Sequence, residues 1–533
     1  MDNEVALPAH PETIPAAFAA QVAQRPGAQF LHTDAGDVGY ADIAGAVDRM
    51  ATAWLQMGLA HGDRIAIAAV NSREWLVTYL SAVKIGAVLV PLNVVYRDRE
   101  FIHMLNQSGT RVLVCDAAAG GFEFGPFVAR IAPELQTLER TIFIGAGTDP
   151  ADGGPANGVR WEDVEAIAPD AAALEAAESA VGPQDPAALI YTSGTTGTPK
   201  GAVMTHSSAL ASAAGQVLTF AQTADDVILG TMPWNHVGGI TATVGTCLLT
   251  GGSVALLPRF HPDLVAAAIA DSGVTMVVGV PTMYKMMLVS EAFKDLDVSS
   301  VRLCVTGGSN VEPALARQIA ARFPGVRLAN LYGLSETSGA SIISPASDSL
   351  DTVLSTIGTA LSGFETRIVD DNNAVLAAGM TGELQIRGGC VAAGYWDMPD
   401  ATAATFGADG WLSTGDICSR SDDGHVTLLG RKKEMYVRGG YNVYPAEIEN
   451  VLATHPSVAM CAVIGIPDAV FGETGCVFVV PAPGATVDPD ALLELCRSTL
   501  AEYKVPDRVE IVDSLPMTAA GKIRKVELSV PAS

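Results

Sequence analysis

An apolar run, Ala187-Ala188-Leu189-Ile190, passes directly into Tyr-Thr-Ser-Gly-Thr-Thr-Gly-Thr-Pro-Lys-Gly at residues 191–201. A short buried strand that empties into glycines, hydroxyls and a single lysine is built to hold phosphates. Gly194 and Gly197 let backbone N–H groups turn toward an anion, Thr192, Ser193, Thr195 and Thr196 add donors, and Lys200 adds a charge. The spacing excludes the commonest loop of this type. A Walker loop requires Gly-x4-Gly-Lys-Ser/Thr, but Pro199 stands five residues after Gly194, and Gly201 follows Lys200. A flexible Gly/Thr surface loop is the ordinary alternative, and only companions elsewhere in the chain can decide between the two.

The strand-to-loop step belongs to a wider rhythm. Strands are predicted at residues 64–70, 87–90, 111–115, 188–191, 227–231, 253–257, 275–280, 301–306 and 326–331. Helices are predicted at 73–84, 262–271 and 312–323, and a surface loop at 149–158. Strands alternating with helices imply βα units and mainly parallel sheets. From about residue 358 to 430 the pattern changes to short strands with frequent glycines, at 366–369, 383–387 and 425–429, which reads as a smaller β-rich region. The remainder mixes types, with helices at 445–454 and 489–500, strands at 459–464 and 477–480, and a polar Gly521-Lys522 turn. The basic run Arg431-Lys432-Lys433 is the natural boundary before this last unit.

Composition sets the limits. A chain of 533 residues, half of them apolar, is too long for one core and suits two or three domains. The longest apolar region, 76–95, is broken by Lys84, Gly86 and Pro91, and reads as helix plus strand, not a membrane span. A start of Met-Asp-Asn-Glu lacks the basic and apolar parts of a signal peptide. The net charge of −26 argues against nucleic-acid binding. Eight cysteines scattered without a Cys-x-x-Cys pair suit reduced thiols and a cytoplasmic location. Oligomeric state is not legible in these residues, and a homodimer is compatible with them.

The companions of the loop carry further chemistry. Asn330-Leu331-Tyr332-Gly333-Leu334-Ser335-Glu336-Thr337 follows a predicted strand: Tyr332 offers a face to a purine, Ser335 a phosphate contact and Glu336 an oxygen ligand for Mg²⁺. Thr414-Gly415-Asp416 places a carboxylate after a turn, where it can accept both ribose hydroxyls, with Arg431 as a second contact to the sugar. Gly307-Gly308-Ser309 ends another strand and permits close approach to a flat base. Lys522 sits on a glycine-containing loop. Singly, each has an ordinary reading: a half-buried tyrosine, a helix-start carboxylate, a turn aspartate, a solvated lysine. In this order, the ordinary readings require five coincidences.

The set resembles the AMP-forming acyl-CoA synthetase, or adenylate-forming, superfamily. Its phosphate loop stands at residues 191–201, and its Tyr-Gly-x-Thr-Glu motif at 332–336 with Ser335 in place of threonine. Its Thr-Gly-Asp stands at 414–416, its Gly-Arg-x-Lys-Asp/Glu hinge at 430–434, its Gly-Gly-Tyr segment at 439–441, and its terminal Gly-Lys at 521–522. The resemblance implies an α/β fold: an N-terminal AMP-binding domain over 1–430 with two α/β subdomains and a β-rich one, a hinge at 431–433, and a small mobile α+β domain over 434–533. It implies two half-reactions, formation of acyl-AMP and pyrophosphate from an acid and ATP, then transfer of the acyl group to the thiol of coenzyme A. Lys522 then serves adenylation, Glu336 holds Mg²⁺, and Lys433 is the hinge residue about which the small domain turns. Gly439 and Gly440 lie where backbone passes close to the pantetheine arm.

Pro233-Trp234-Asn235-His236-Val237-Gly238-Gly239 occupies the segment that borders the acyl pocket in relatives. His236 either shields the acyl-AMP, lines the thiol path, or is a structural histidine. The other lining segments, 278–284, 307–310 and 338–341, offer no obvious charge aimed at a second charged group, favouring a monocarboxylate with an apolar body, whether fatty, aromatic or alicyclic. A malonate-type substrate needs a cation there. Amino-acid adenylation uses an acidic residue where Asn235 and His236 stand. The chain ends soon after Lys522, which favours free coenzyme A as acceptor. Three alternatives stay open: an acyl-AMP ligase that loads a carrier protein, a luciferase-like oxygenase, and a catalytically dead ATP-binding protein.

Overall fold

The computed structural model describes residues 10–145, 155–192, 199–308, 313–517 and 523–529. Among these residues, two large sheets, a four-stranded sheet and a C-terminal sheet carry the architecture. The nine-stranded sheet has strands Arg327–Leu334, Leu303–Gly307, Met276–Gly279, Val227–Gly230 and Ser253–Leu256 side by side and parallel, with antiparallel pairs at its edges. The seven-stranded sheet is parallel from Pro186–Thr192 through Val88–Pro91, Arg64–Ala68, Val112–Asp116 and Arg140–Ile144 to Gly158–Arg160, with Lys200–Thr205 added antiparallel. The expected βα rhythm and its mainly parallel sheets are therefore present.

The two large sheets face each other across one core. Helices Ile14–Gln24, Tyr40–Gln56, Arg73–Lys84 and His206–Phe220 lie between them, and their apolar faces pack with Ile65 and Ile190 of one sheet and Val254 and Val305 of the other. Trp54, Trp75 and Trp234 are fully buried, and the Phe30 and Tyr40 rings stack at 4.3 Å. Each large side chain so buried contributes about 1.5–3 kcal/mol. Helices Pro262–Ser272, Pro281–Val289 and Pro313–Arg322 cover the outer face of the nine-stranded sheet. Asp98–Ser108 and Phe124–Ile131 cover the outer face of the other. The result is five layers, helix–sheet–helix–sheet–helix.

The β-rich region is an antiparallel meander, Phe364–Val369, Thr381–Gly388, Leu412–Arg420 and Val426–Arg431. Beyond it comes an α+β unit whose long hairpin, Val458–Asp468 with Gly472–Pro481, carries helices Pro445–Leu452 and Pro489–Thr499. The strand expected to stop at residue 464 runs on to Asp468 through Gly465 and Pro467. A Cβ on Gly465 would fall 2.4 Å from the Cβ of Tyr436, so the glycine makes room for that ring and does not break the strand. The loop expected at 149–158 lies mostly outside the described residues, and its last residue, Gly158, begins a strand. No described helix is long and apolar enough to cross a membrane. No disulfide joins the eight cysteines, and seven of them are buried.

Candidate active site

Strands Pro186–Thr192 and Lys200–Thr205 run antiparallel, with Thr192 and Lys200 as the last cross-strand partners before the connection between them. Ser193, Gly194, Thr195, Thr196 and Gly197 lie outside the described residues. Directly after the second strand, Thr205 Oγ1 accepts from Ser208 N at 3.1 Å and starts the helix His206–Phe220. Lys200 Nζ lies 5.1 Å from the centroid of the Tyr395 ring, within cation–π range. The hydroxyl of that tyrosine donates to Glu336 Oε1 at 2.7 Å. Burial, with the Glu336 carboxylate beside it, pushes the Tyr395 hydroxyl well above its ordinary pKa, so it remains a donor.

Segment 392–396 places this tyrosine by pairing with the strand after the phosphate loop. Ala393 N donates to Val203 O at 3.0 Å, Trp396 N donates to Gly201 O at 2.8 Å, and Tyr395 bridges Ala202. Ala392 N donates to the backbone carbonyl of Glu336 at 2.9 Å, so one segment grips Glu336 at both main chain and side chain. Tyr395 was missed in the sequence. Its only local signal is an aromatic pair, Tyr395-Trp396, directly after Gly394.

A second bridge joins the nine-stranded sheet to the four-stranded one. Tyr332, at the end of strand Arg327–Leu334, donates its hydroxyl to Asp416 Oδ2 at 2.6 Å, and Arg431 Nε lies 3.0 Å from Asp416 Oδ1. Asp416 and Arg431 are cross-strand partners, so the meander's register sets their pairing. Burial and the Asp416 charge raise the pKa of the Tyr332 hydroxyl well above its ordinary value. Tyr332 is only 8 % exposed and Asp416 2 %, so the open stacking face expected of Tyr332 is narrowed to a small part of the ring. A carboxylate oxygen accepts more than one hydrogen bond, and the expected ribose contact is compatible with this bridge.

The remaining residues of this segment are fixed from below. Asn330 Nδ2 donates to Thr356 O at 3.2 Å. A Cβ on Gly333 would meet Gly339 O at 2.1 Å, and Ser335, buried, opens the turn Ser335–Thr337 that presents Glu336. Gly308 adopts φ +79°, which favours glycine, just past strand Leu303–Gly307, and Ser309 lies outside the described residues.

On the expected acyl side, Asn71 ties the two large sheets together. Its Nδ2 donates to Met232 O at 2.9 Å and its Oδ1 accepts from Trp234 N at 2.8 Å. Trp234 in turn donates from Nε1 to Thr243 Oγ1 at 2.9 Å. His236 is exposed and caps the short helix that follows, accepting from Gly238 N through Nδ1 at 3.1 Å. Residues Ile240–Gly245 form a π-helix, a local geometry frequent at functional sites, and no sequence pattern pointed to it.

The C-terminal candidates are placed differently. Gly439 and Gly440, at φ +57° and +87°, form the exposed tip of the hairpin Tyr436–Arg438 and Tyr441–Val443, and Gly439 N donates to Phe471 O at 2.8 Å within the same unit. Lys433 lies in the exposed turn Lys432–Glu434 between the meander and this unit. Lys522 lies outside the described residues. The structure thus joins Lys200 to Glu336 through Tyr395, with Thr192 across from Lys200, joins Tyr332, Asp416 and Arg431 in a second bridge, and leaves Gly439 and Gly440 on a separate exposed hairpin.

Comparison with known proteins identifies the family. The family model for AMP-binding enzymes matches residues 18–396, and that for the AMP-binding enzyme C-terminal domain matches residues 447–522. The chain is 36% identical over 519 residues to a methyl-dioxo-octahydroindenyl propanoyl:CoA ligase of Mycobacterium tuberculosis, covering 97% of this chain and 98% of that one. It is 35% identical over 501 residues to an indoleacetate–CoA ligase of Aromatoleum aromaticum, covering 94% of each. The crystal structure of ATP-bound MatB from Rhodopseudomonas palustris superposes with a TM-score of 0.81 at 30% identity, covering 96% of this chain and 98% of that one. The chain belongs to the AMP-binding enzyme family, the adenylate-forming acyl-CoA synthetase superfamily.

Proposed function

We propose that this chain is an ATP-dependent carboxylate–CoA ligase that works in two steps on a monocarboxylic acid with an apolar body. The observation that carries the reading is the pair of bridges: Lys200–Tyr395–Glu336, which starts on the strand directly after residues 193–198, and Tyr332–Asp416–Arg431, which joins the nine-stranded sheet to the four-stranded one. One bridge puts a cation and a carboxylate beside the phosphate loop, and the other puts a buried carboxylate beside an aromatic ring. A nucleotide needs both, for its phosphates and for its sugar and base.

In the first step a carboxylate oxygen of the acid bonds to the α-phosphorus of ATP, and pyrophosphate leaves. The obstacle is the meeting of two anions, so positioning and charge stabilisation do most of the work. The 193–197 donors and Lys200 hold phosphates, and Ser335 adds a hydroxyl. Gly308, Ser309, Asn330, Tyr332 and Gly333 shape the base site, and Asp416 and Arg431 receive the sugar. Among the described residues no cluster of three or more His, Cys, Asp or Glu side chains could hold a metal by itself. Glu336 would hold Mg²⁺ through its carboxylate, and the ion would supply charge neutralisation beside the phosphates. Lys522 is the catalytic lysine of this step.

In the second step the thiol of coenzyme A attacks the acyl carbonyl and AMP leaves. Turning of the small domain about Lys433 withdraws Lys522 and brings the Gly439-Gly440 hairpin toward the thiol path. The exposure of that hairpin in this structure supports the reading, because a face built to dock in another arrangement is uncovered here. His236, exposed at the head of its helix, lines the acyl or thiol path. Both relatives named above are ligases of ring-bearing acids, which supports an aromatic or alicyclic substrate ahead of a simple fatty acid.

The test is a panel of aliphatic, aromatic and alicyclic acids assayed with ATP and Mg²⁺ for pyrophosphate release, and with coenzyme A for thioester and AMP. Acid-dependent pyrophosphate and CoA-dependent AMP are expected. ATP binding without pyrophosphate release identifies a dead nucleotide binder, and acyl-AMP that reacts with a carrier protein but not with coenzyme A identifies a carrier-loading ligase.

A further inference from the structure

Lys525 stands three residues after Lys522 and is held by two carboxylates far away in sequence. Its Nζ lies 2.7 Å from Glu434 Oε2 and 2.8 Å from Glu449 Oε1. Glu434 is the residue directly after Lys433, and Glu449 belongs to the helix Pro445–Leu452 and also accepts from Val463 N at 2.7 Å. The Lys525 side chain is 16% exposed and that of Glu449 19%. The flanks of the Lys522 loop are themselves joined, since Met517 bridges Ile523 and Arg524 N donates to Pro516 O at 2.8 Å. A move of Lys525 is therefore a move of the whole loop base.

We propose that Lys525 is a positioning residue for adenylation, a half-buried latch that fixes the flank of Lys522 to the residue next to the hinge. The inference rests on the reading of Lys522 as the adenylation lysine and of Lys433 as the hinge. Without the latch, rotation about Lys433 delivers the small domain while the described flanks of Lys522 are held to each other and not to the hinge side. With it, the displacement at the hinge reaches the lysine undiminished. The two carboxylates suit this role because they share one half-buried ammonium, whereas its removal leaves both without their cation. Arg524, one residue earlier, pairs with Glu527 at the surface, both about half exposed, and serves as a control with no reach to the hinge.

The experiment compares Lys525→Met, Lys525→Arg, Glu434→Gln, Arg524→Gln and Lys522→Ala in the full chain. Each is assayed for pyrophosphate release from acid and ATP, for thioester formation from pre-made acyl-AMP and coenzyme A, and for its thermal unfolding midpoint. Lys525→Met is expected to lower the adenylation kcat by about 10- to 100-fold, the scale of a small misplacement, with the KM for ATP and the thioester step within about threefold of wild type. Lys525→Arg restores most of the adenylation rate, Glu434→Gln gives a smaller loss of the same selectivity, and Arg524→Gln is silent. Equal loss of both half-reactions, or an unchanged adenylation rate in a folded Lys525→Met protein, overturns the latch. If Lys525→Met does not fold, Glu434→Gln decides, and an unchanged adenylation rate there overturns it. Retained adenylation in Lys522→Ala overturns the underlying reading instead, and its loss alongside a silent Lys525→Met overturns the latch alone.

Discussion

The hydroxyl of Tyr395 donates to Glu336 Oε1 at 2.7 Å while the ammonium of Lys200 lies 5.1 Å from the centre of the same ring. One aromatic side chain thus touches both the cation beside the phosphate loop and the carboxylate assigned to Mg²⁺. The ring is itself braced edge-on against Phe406, with centroids 5.3 Å apart. Its backbone is fixed by the bridge to Ala202. A carboxylate with one oxygen so pinned presents the other in a fixed direction.

Tyr395→Phe keeps the ring, and so the Lys200 contact, and removes only the hydrogen bond to Glu336. Loss of a partner that orients a metal ligand typically costs 10- to 100-fold in metal affinity. Pyrophosphate release titrated with Mg²⁺ is expected to show a concentration for half-maximal rate raised by about tenfold, with the saturated rate changed less. An unchanged Mg²⁺ dependence removes Tyr395 from this role.

Tyr332→Phe tests the second bridge. It deletes a hydrogen bond to a buried, charged acceptor, and such bonds are worth about 1.5–3 kcal/mol each. Urea unfolding is expected to show a stability lower by about 2 kcal/mol. Because Asp416 also loses the support of this hydroxyl, the KM for ATP is expected to rise while the rate from pre-made acyl-AMP and coenzyme A holds. A stability loss without any change in KM would make the bridge purely structural.

What the sequence revealed and what it hid follow from range. The positions of Tyr332 and Glu336 were legible because they lie where strand Arg327–Leu334 runs into a turn, whereas Asp416, expected after a turn, stands inside strand Leu412–Arg420, where cross-strand pairing with Arg431 holds it. Tyr395 was not legible, since its partner Glu336 is 59 residues away and its ring looks like any core aromatic. The Lys525 pairs were hidden in the same way, with Glu434 lying 91 residues before it. The π-helix Ile240–Gly245 was hidden because its side chains fit an ordinary helix. Its Thr241 and Thr243 hydroxyls turn back to the carbonyls of Val237 and Gly239, a bonding pattern that only the fold discloses.

The stability of the chain in acid is expected to depend on His206. Fully buried, it accepts from Ile14 N through Nδ1 at 3.2 Å, and so ties the first helix to the helix after the phosphate loop. Burial lowers its pKa from 6.5 to about 4, with Asp185 raising it and His61 lowering it further. Between those two values the unfolded chain binds a proton that the folded chain does not. Stability from this group is complete above pH 6.5 and falls as the pH drops toward 4, by at most about 1.4 kcal/mol per pH unit. Asp116 opposes the trend, since burial raises its carboxyl to about 6 and it stabilises the fold as the pH falls through that value. The difference between wild type and His206→Asn cancels the Asp116 contribution. Denaturant unfolding from pH 4 to 7 is expected to show wild type losing stability relative to the variant as the pH falls. A difference independent of pH would mean that His206 is not held neutral.

Gly440→Ala separates the two half-reactions. Gly440 sits at φ +87° on the exposed hairpin tip, and a Cβ added there meets nothing within 4 Å. In the arrangement seen here the substitution therefore carries only its backbone strain, on the order of 1–2 kcal/mol. On the proposed rotation, adenylation takes place with the hairpin uncovered and is expected to hold within about twofold. Thioester formation from pre-made acyl-AMP is expected to fall by about tenfold or more, because a methyl group enters a place that backbone must pass closely once the hairpin docks. The selectivity is the informative quantity, since strain confined to the exposed tip acts on both steps alike. Equal effects on the two rates, or no effect on thioester formation, would mean that the hairpin never approaches the thiol path, and the rotation about Lys433 would lose its main support.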